Sequence, residues 1–394
     1  MRLVKKILKL VFLFAIAIVL LGVGFTFLYG EKIEQIILSK IREKSEAEIK
    51  VKEVNFSVFK NFPYTSIKLT DVLIMEKQPN INDSLLYAKQ VYLQFNIFNL
   101  LSENQEISKV VLLNSKLNIK YDMNGNPNFK IFKPPKEKEK KVKINQIYFN
   151  DSKISYIHQL KNIDIKGEPH KVLVDFEEYK QTDFSVNGDF FMQKLVVGET
   201  DYIYKKECKI DAGFSVSDEV FYIKNSTLFI EDVQFSLAGE IEGKNVNLDI
   251  SAENQKVKSV LSHMPEKFKS VCSTFSADGD LSCKGIIKGK ISKTSNPHFN
   301  MDFAVTNGDF KMKENPFHLS ALQLSGNIDN GSSNNFENTL IKVENCSAKT
   351  ENGILSGTFQ VQNLNNYYLS RLQKKRINKK WESKSLSCKS TFYI

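Results

Sequence analysis

The sequence predicts a mainly β protein that starts with a transmembrane helix and continues as an elongated, curved antiparallel β-sheet shaped like a groove. Three observations support this fold class. Residues 10–30 carry no charge, apolar and polar residues alternate in many segments from residue 48 onward, and turn-forming dipeptides separate those segments. The chain has 394 residues, of which 42% are hydrophobic, so it is long enough for two domains or one elongated domain.

Residues 10–30 predict a single transmembrane helix. Their length of about 31 Å, at about 1.5 Å per residue, matches a hydrocarbon core of about 30 Å. Residues 1–9 form a basic stub with four cations, so the positive-inside rule places this stub in the cytoplasm and the body of the protein outside it. A cleaved signal peptide is the competing interpretation, but its apolar core would be shorter. No second apolar run of this length occurs in the sequence.

A juxtamembrane helix is predicted over residues 31–47. Four isoleucines recur there at helical spacing, namely Ile33, Ile36, Ile37 and Ile41. This apolar stripe packs against the first strands or lies on the lipid surface. Packing against the strands is the favoured interpretation.

Alternation with a period of two predicts strands that have one apolar and one polar face. The apolar positions of four such segments are the candidate lining of a groove: Leu93, Phe95 and Ile97; Leu117 and Ile119; Phe229, Val233, Phe235 and Leu237; Leu248 and Ile250. The same faces can instead close on each other as the core of a sandwich. Alternation alone leaves both arrangements open.

Turn chemistry and the scarcity of helical patterns predict an antiparallel meander. Six hairpin-type dipeptides occur: Asn124-Gly125, Asn187-Gly188, Asp278-Gly279, Asn307-Gly308, Asn330-Gly331 and Asn352-Gly353. Only residues 254–270 suggest a short helix, and without crossover helices closely spaced strands do not pair in parallel. Residues 113–119, 149–155 and 224–230 resemble one another, which predicts a reused strand–turn–strand unit.

The charge distribution argues against a nucleic-acid partner. The net charge is +10, but residues 1–9 carry +4 and residues 371–394 carry +7, so the remainder is nearly neutral. Residues 133–143 are rich in Lys, Glu and Pro and predict an exposed loop. Of the five cysteines, Cys272 and Cys283 have the spacing of a hairpin disulfide, although scattered small apolar residues are the favoured interpretation.

No catalytic, cofactor or metal site is predicted. The sequence lacks HExxH, GxSxG and GxGxxG, and its five histidines lie far apart along the chain. A phosphate-binding loop at residues 285–290 is disfavoured because Ile291 stands where Ser or Thr would hold magnesium. The protein is therefore expected not to be an enzyme, and an envelope hydrolase is the least favoured hypothesis.

The order of these features resembles the AsmA family of bacterial envelope proteins. The resemblance is strongest over residues 1–132, in Ile49–Phe56, Phe62-Pro63, Leu86–Leu93, Ile107–Ser115 and Tyr121–Phe129. Residues 48–132 correspond to the N-terminal β region of that family, and residues 144–366 fit its strand-rich middle more loosely. The resemblance implies an inner-membrane protein with a periplasmic body that acts in outer-membrane biogenesis and shields phospholipid acyl chains.

Two functional hypotheses follow from the resemblance. The first is phospholipid transport along an apolar β-groove, without catalysis, and the second is an assembly factor or scaffold for outer-membrane proteins that acts through exposed sheet edges. Residues 367–394 depart from the family because they are basic and lack strand periodicity. A truncated or frame-shifted reading frame is the favoured explanation, and a tail that binds anionic headgroups is the alternative.

Overall fold

A computed structural model describes residues 45–61, 64–76, 83–96, 106–131, 143–177, 183–198, 200–217, 220–264, 272–291, 295–314, 316–331, 334, 338–351, 353–362 and 368–375. These residues are mainly β-strand and form a large mixed sheet, which confirms the predicted class. The chain divides into a first unit, Met1–Gln181 with Gly188–Phe191, and a second unit, Thr182–Asn187 with Met192–Ile394.

The strands of the first unit are β1 (Ile49–Lys50), β2 (Glu53–Asn61), β3 (Tyr64–Met75), β4 (Ser84–Asn96), β5 (Glu106–Tyr121), β6 (Lys143–Asn150), β7 (Lys153–His158) and β8 (Ile163–Phe176). Strand β9 (Asp183–Val197) contributes to both units. The second unit contains β10 (Thr200–Ser217), β11 (Val220–Ile230), β12 (Val233–Glu242), β13 (Asn245–Lys256), helix α1 (Val257–Ser262), β14 (Phe275–Lys290), β15 (His298–Met312), β16 (His318–Asp329), β17 (Leu340–Thr350), β18 (Gly353–Gln362) and β19 (Tyr368–Lys375).

The first unit departs from the predicted antiparallel meander. Strand β5 pairs in parallel with both β6 and β7, which then pair in antiparallel fashion with β8. Residues 122–142 lie between β5 and β6, and a connection of that length lets the chain return to the same end of the sheet. The prediction of wholly antiparallel pairing is therefore wrong for this part of the sheet.

A row of bends crosses the strands of the first unit. Asp71, Asn114 and Asp151 adopt φ angles of 50°, 49° and 48° within or directly beside strands. The registers of β3 to β8 place them on one row with Lys89 and His170. Asn and Asp tolerate this left-handed conformation better than other residues that carry a side chain. The three positive-φ residues thus lie at one level, and the strands pair on both sides of that level.

The bends at Asn114 and Asp151 fall in two of the three segments whose sequences resemble one another, residues 113–119 and 149–155. The third segment, residues 224–230, lies in β11 of the second unit. Residues 113–119 lie within β5 and residues 224–230 within β11, whereas residues 149–155 join β6 to β7, and each segment buries one serine. Ser115 and Ser152 are 4% and 1% exposed, and the hydroxyl of Ser115 donates a 2.7 Å hydrogen bond to that of Ser152. The predicted strand–turn–strand unit is therefore wrong for residues 113–119 and 224–230, which lie inside single strands, and only residues 149–155 separate two strands.

The first unit buries large apolar side chains from neighbouring strands. Its core comprises Ile67, Leu69, Val72, Leu85, Ala88, Val91, Leu112, Ile131, Phe149 and Val172, each less than 9% exposed. In the ladder from β3 to β8, Leu69 faces Val91, Leu112 and then Phe149 across successive strands. Such burial is worth about 1.5–3 kcal/mol per large side chain, so the apolar face of this unit serves its own stability.

A polar cluster holds residues 122–131 against this unit. The ammonium group of Lys120 lies 3.0 Å from Glu76 and 2.5 Å from Asp83, and Asn128 donates a 2.9 Å hydrogen bond to Glu76. The hydrogen bond from Lys120 lowers the pKa of the Asp83 carboxyl, although partial burial opposes this shift. Burial disfavours the charged form of Lys120, but its bonds to Asp83 and Glu76 outweigh burial and raise the pKa of Lys120.

The second unit confirms the predicted meander, since every pairing from β10 to β19 is antiparallel. Helix α1 lies within the segment 254–270 where a short helix is predicted. Strand β19 corrects the expectation that residues after 366 form no strand. Val361 of β18 pairs with Leu369, because main-chain groups of a neighbouring strand suffice for pairing without side-chain alternation.

Three of the six predicted hairpin dipeptides lie inside strands. Gly188 is in β9, Gly279 in β14 and Gly308 in β15. A Cβ on Gly188 would lie 2.0 Å from the carbonyl oxygen of Lys171, and one on Gly279 would lie 2.9 Å from the Cα of Gly308. Register shifts in the pairings of β14, β15 and β16 mark Gly279 and Gly308 as bulges, and at Gly188 the close approach of Lys171 leaves no room for a side chain. The prediction of turns there is wrong, because a bulge requires the same small residues as a tight turn.

Several predicted segments lie outside the described residues: the basic stub 1–9, the transmembrane helix 10–30, most of the juxtamembrane helix 31–47, the loop 133–143 apart from Lys143, and residues 376–394. Residues 45–47, at the end of the predicted juxtamembrane helix, form a bridge and bends and are not helical. Among the described residues, no helix is long and apolar enough to cross a membrane.

Candidate functional site

One face of the second unit carries an uncharged ladder that crosses seven strands, from β12 to β18. In order, its members are Leu237, Ile250, Gly285, Met301, Ile328, Ile341 and Val361. The next row on the same face runs from β13 to β18 through Ala252, Cys283, Phe303, Gly326, Val343 and Phe359. These two rows are the apolar face of the second unit. Strand spacing of about 4.8 Å gives the first row a length of roughly 29 Å.

The opposite face of the same strands is polar. The row directly beside the first apolar row consists of Ser236, Ser251, Lys284, Asp302, Asn327, Lys342 and Gln360. Successive residues of a strand point to opposite sides, so neighbours such as Ile328 and Asn327 occupy different faces. Lys284, Asp302 and Lys342 are exposed, as expected for a face in contact with water.

The apolar face differs from a closed core in its exposure. Leu237, Ile250, Met301, Ile328 and Ile341 are all half-buried, whereas the ladder of Leu69, Val91, Leu112, Phe149 and Val172 in the first unit is less than 9% exposed at every position. In the second row, Val343 is 2% exposed and Phe303 is half-buried. Covering such an apolar surface with hydrocarbon lowers the free energy by about 0.8 kcal/mol for each CH₂ group removed from water.

Two glycines shape this face. A Cβ on Gly326 would lie 3.0 Å from the Cζ atom of Phe303, and one on Gly285 would lie 2.8 Å from the Cβ of Met301. The absence of a side chain therefore lets the ring of Phe303 lie over the backbone of its neighbour, an arrangement found where an aromatic residue covers a strand glycine.

Two thiols belong to the same face. Cys283 pairs with Phe303, and Cys346 pairs with Leu324, on half-buried positions. Burial raises the pKa of both thiols, so they are less nucleophilic than free cysteine at neutral pH. Cys208, Cys272, Cys283 and Cys346 all carry free thiols. Because Cys283 lies within β14 and Cys272 just before it, the two cannot face each other across a hairpin.

Five of the predicted groove residues lie together in the second unit. Leu237 pairs with Ile250. Leu248 precedes Ile250 by two residues in the same strand, so both lie on the same face. Phe235 and Val233 precede Leu237 at alternate positions of β12. Phe229 is different, because it belongs to β11 and pairs with Gln234. Gln234 and Phe235 point to opposite faces, so Phe229, which pairs with Gln234 across the turn at residues 231–232, lies on the face opposite to Phe235.

The predicted groove residues of the first unit lie on β4 and β5. Leu93 pairs with Val110, and Leu117 pairs with Leu86 and Ile154. Ile119 pairs with Tyr156 in the parallel pairing of β5 and β7. Phe95 is half-buried near the end of β4, and Ile97 lies outside the described residues.

The sequence analysis missed most of the apolar face. Met301, Phe303, Ile328 and Ile341 were not among the predicted residues, although residues 299, 301, 303 and 305 are apolar at alternate positions. Alternation identifies which residues of one strand share a face. Only the register between strands, interrupted here by bulges, shows that seven such faces form one ladder.

A second group of side chains gathers around α1. The hydroxyl of Ser259 donates to one carboxylate oxygen of Asp232, His263 Nε2 lies 2.9 Å from the other, and Lys206 Nζ lies 2.8 Å from His263 Nδ1. Hydrogen bonds from Ser259 and His263 lower the pKa of Asp232. Ser259 contacts the carboxylate rather than the imidazole, so His263 does not accept the serine proton as in a catalytic triad.

Metal-ligating side chains do not converge within the described part of the chain, where no group of three or more His, Cys, Asp or Glu has a suitable arrangement. A comparison of the sequence and fold with known protein families, curated proteins and solved structures finds no match. The resemblance to the AsmA family therefore rests on the order and pattern of residues 1–132 and remains a hypothesis.

Proposed function

We propose that this protein is an AsmA-like, non-enzymatic protein of the bacterial envelope, anchored in the inner membrane with its body in the periplasm. In this proposal it shields or transports phospholipid during outer-membrane biogenesis, with acyl chains lying along the apolar face of the second unit. The observation that carries the proposal is the half-buried ladder from Leu237 to Val361, which no charged side chain interrupts.

The dimensions of the ladder support an acyl-chain ligand. Its length of roughly 29 Å is close to the full hydrocarbon thickness of a bilayer, about 30 Å, and so exceeds what a chain from one leaflet needs. The polar row on the other side of the sheet keeps that side in water. A sheet with one apolar and one polar face can thus hold lipid without exposing hydrocarbon on its outer side.

The test is lipid extraction and mass spectrometry of the full-length protein, purified from its membrane. We expect co-purified phospholipid in the unmodified protein and a loss on the order of tenfold in Ile328→Lys. A charge within hydrocarbon costs roughly 2.5–3.5 kcal/mol, which is enough for such a loss. The apolar ladder continues on both sides of Ile328, so the substitution places the charge within it.

Asn327→Lys is the matched control, because Asn327 is the preceding residue and lies on the polar face beside Asp302. Its lipid content should equal that of the unmodified protein. If all three proteins carry no phospholipid, or if Ile328→Lys retains it fully, acyl-chain binding on this face is refuted. Protein partners recovered in place of lipid favour the alternative role as an assembly factor for outer-membrane proteins.

A further inference from the structure

Three large apolar side chains are exposed together on loops of the first unit. Met123 is 62% exposed, Leu160 is 46% exposed and Phe129 is 41% exposed. Met123 and Phe129 lie in the loop after β5, and Leu160 lies in the turn between β7 and β8. We name these three residues the loop patch. None of them belongs to the apolar face of the second unit.

Contacts between the two loops place the three side chains at one end of the unit. A Cβ on Gly125 would lie 3.7 Å from the Cδ2 atom of Leu160, and the backbone N–H of Gln159 donates a 3.0 Å bond to the carbonyl of Tyr121. The ring of Phe129 lies edge-on to that of Tyr121, with centroids 5.6 Å apart.

The loop that presents Met123 is held in a fixed conformation. One carboxylate oxygen of Asp122 accepts hydrogen bonds of 2.8 Å from the backbone N–H groups of Asn124 and Asn126, and the other accepts one from the side chain of Asn126. These bonds lower the pKa of Asp122. The hydrogen bonds of Asp122 fix the backbone of the turn, so exposure of Met123 is not the result of an unstructured loop.

The same loop is joined to the chain that follows the predicted membrane anchor. The backbone N–H of Glu46 donates a 2.7 Å hydrogen bond to the carbonyl of Ile131, two residues after Phe129, and the hydroxyl of Ser45 also reaches this carbonyl. Residues 31–44 alone separate Ser45 from the predicted transmembrane helix. A membrane surface is therefore within reach of the loop patch.

The surroundings of the patch suit a lipid surface. Lys130 follows Phe129, Lys161 follows Leu160, and both lysines are exposed. Apolar side chains flanked by cations insert into the boundary between headgroups and acyl chains, and each cation adds about 1 kcal/mol at an anionic surface. Tyr121 beneath Phe129 also fits the aromatic composition of this boundary.

We propose that the loop patch inserts into the surface of the bilayer that holds the anchor. The first unit then has a fixed contact with the membrane in addition to its covalent tether. This inference rests on the membrane anchor of the proposed function but not on lipid binding by the second unit.

The test uses the full chain reconstituted into phospholipid vesicles with brominated acyl chains, which quench tryptophan on contact. The sequence contains a single tryptophan, Trp381, so Trp381→Phe provides a silent background. Leu160→Trp and Met123→Trp report on the patch. Ile354→Trp is the control, because Ile354 is 53% exposed on β18 of the second unit. We expect loss of fluorescence and a blue shift at positions 160 and 123, and neither at position 354.

Resistance of the vesicle-bound protein to extraction with carbonate shows whether the anchor is inserted. If the anchor is inserted but both patch reporters remain as bright as the control, the patch does not contact lipid and the inference is wrong, while the proposed function stands. If carbonate releases the protein, the anchor itself fails, and the inference is refuted together with the membrane part of the proposed function.

Discussion

The two units use the same alternation of apolar and polar residues for different ends. In the first unit, Ile67, Leu69 and Leu112 are 2%, 5% and 7% exposed, so these positions are covered by the unit's own core. In the second unit, Ile250, Met301 and Ile328 lie on a longer ladder but remain half-buried. Alternation in a sequence therefore predicts an apolar face, and packing in the folded chain decides whether that face is available to a ligand.

The largest expected effect breaks the core of the first unit. Leu69→Ala should lower the local free energy of unfolding by about 2–5 kcal/mol, because it removes a buried side chain and leaves a cavity. Leu248→Ala, on the half-buried face of the second unit, should cost about 1 kcal/mol. Hydrogen exchange followed by mass spectrometry measures both, peptide by peptide. Equal losses in the two units would contradict the difference in burial on which the comparison depends.

A smaller effect is expected where the close approach of a neighbouring strand requires glycine. In Gly188→Ala the new Cβ meets the carbonyl oxygen of Lys171 at 2.0 Å, and the φ angle of 149° adds strain. We expect a loss of about 3 kcal/mol in thermal or urea unfolding. Gly198→Ala is the control: its φ is 64° but nothing lies within 4 Å, so the loss should stay near 1 kcal/mol. Similar losses for Gly188→Ala and Gly198→Ala would show that the close approach of Lys171 to Gly188 has no effect on stability.

The smallest effect concerns the polar cluster that closes the first unit over residues 122–131. The lowered pKa of Asp83 means that its contribution is present above the ordinary carboxyl pKa and is lost as the pH falls through the lowered value. Asp83→Asn should thus reduce stability at pH 6 by less than about 1 kcal/mol, since the side chain is 41% exposed and screened by water. The difference between variant and unmodified protein should shrink as the pH falls below the ordinary carboxyl pKa, and urea titrations at pH 6 and at successively lower pH values measure it. A difference that grows toward low pH would contradict the lowered pKa of Asp83.

The sequence predicts the mainly β class, the meander of the second unit and the position of α1, because each depends on local patterns. It does not predict the parallel pairing of β5, which depends on where the chain returns after residue 121. It also misplaces Gly188, Gly279 and Gly308 in turns, since bulges and hairpins select the same dipeptides.

Local sequence patterns could not show which strands together form the candidate site, for a related reason. Leu237, Leu248 and Ile250 are recognisable within their own strands, but their continuation through Met301, Ile328 and Ile341 depends on strand register. Bulges shift that register by one residue at several points, and each shift moves the following side chains to the other face. The position of Phe229 shows the same effect at a two-residue turn.

The central claim is that acyl chains occupy the apolar face of the second unit, and neighbouring residues on opposite faces test it most directly. A photoreactive benzophenone side chain is placed at Ile250 in one full-length variant and at Ser251 in another, and both are irradiated in their native membrane. Mass spectrometry of the adducts should find phospholipid joined at position 250 and none at position 251. Equal labelling at the two positions, or adducts with protein alone at position 250, would contradict the account.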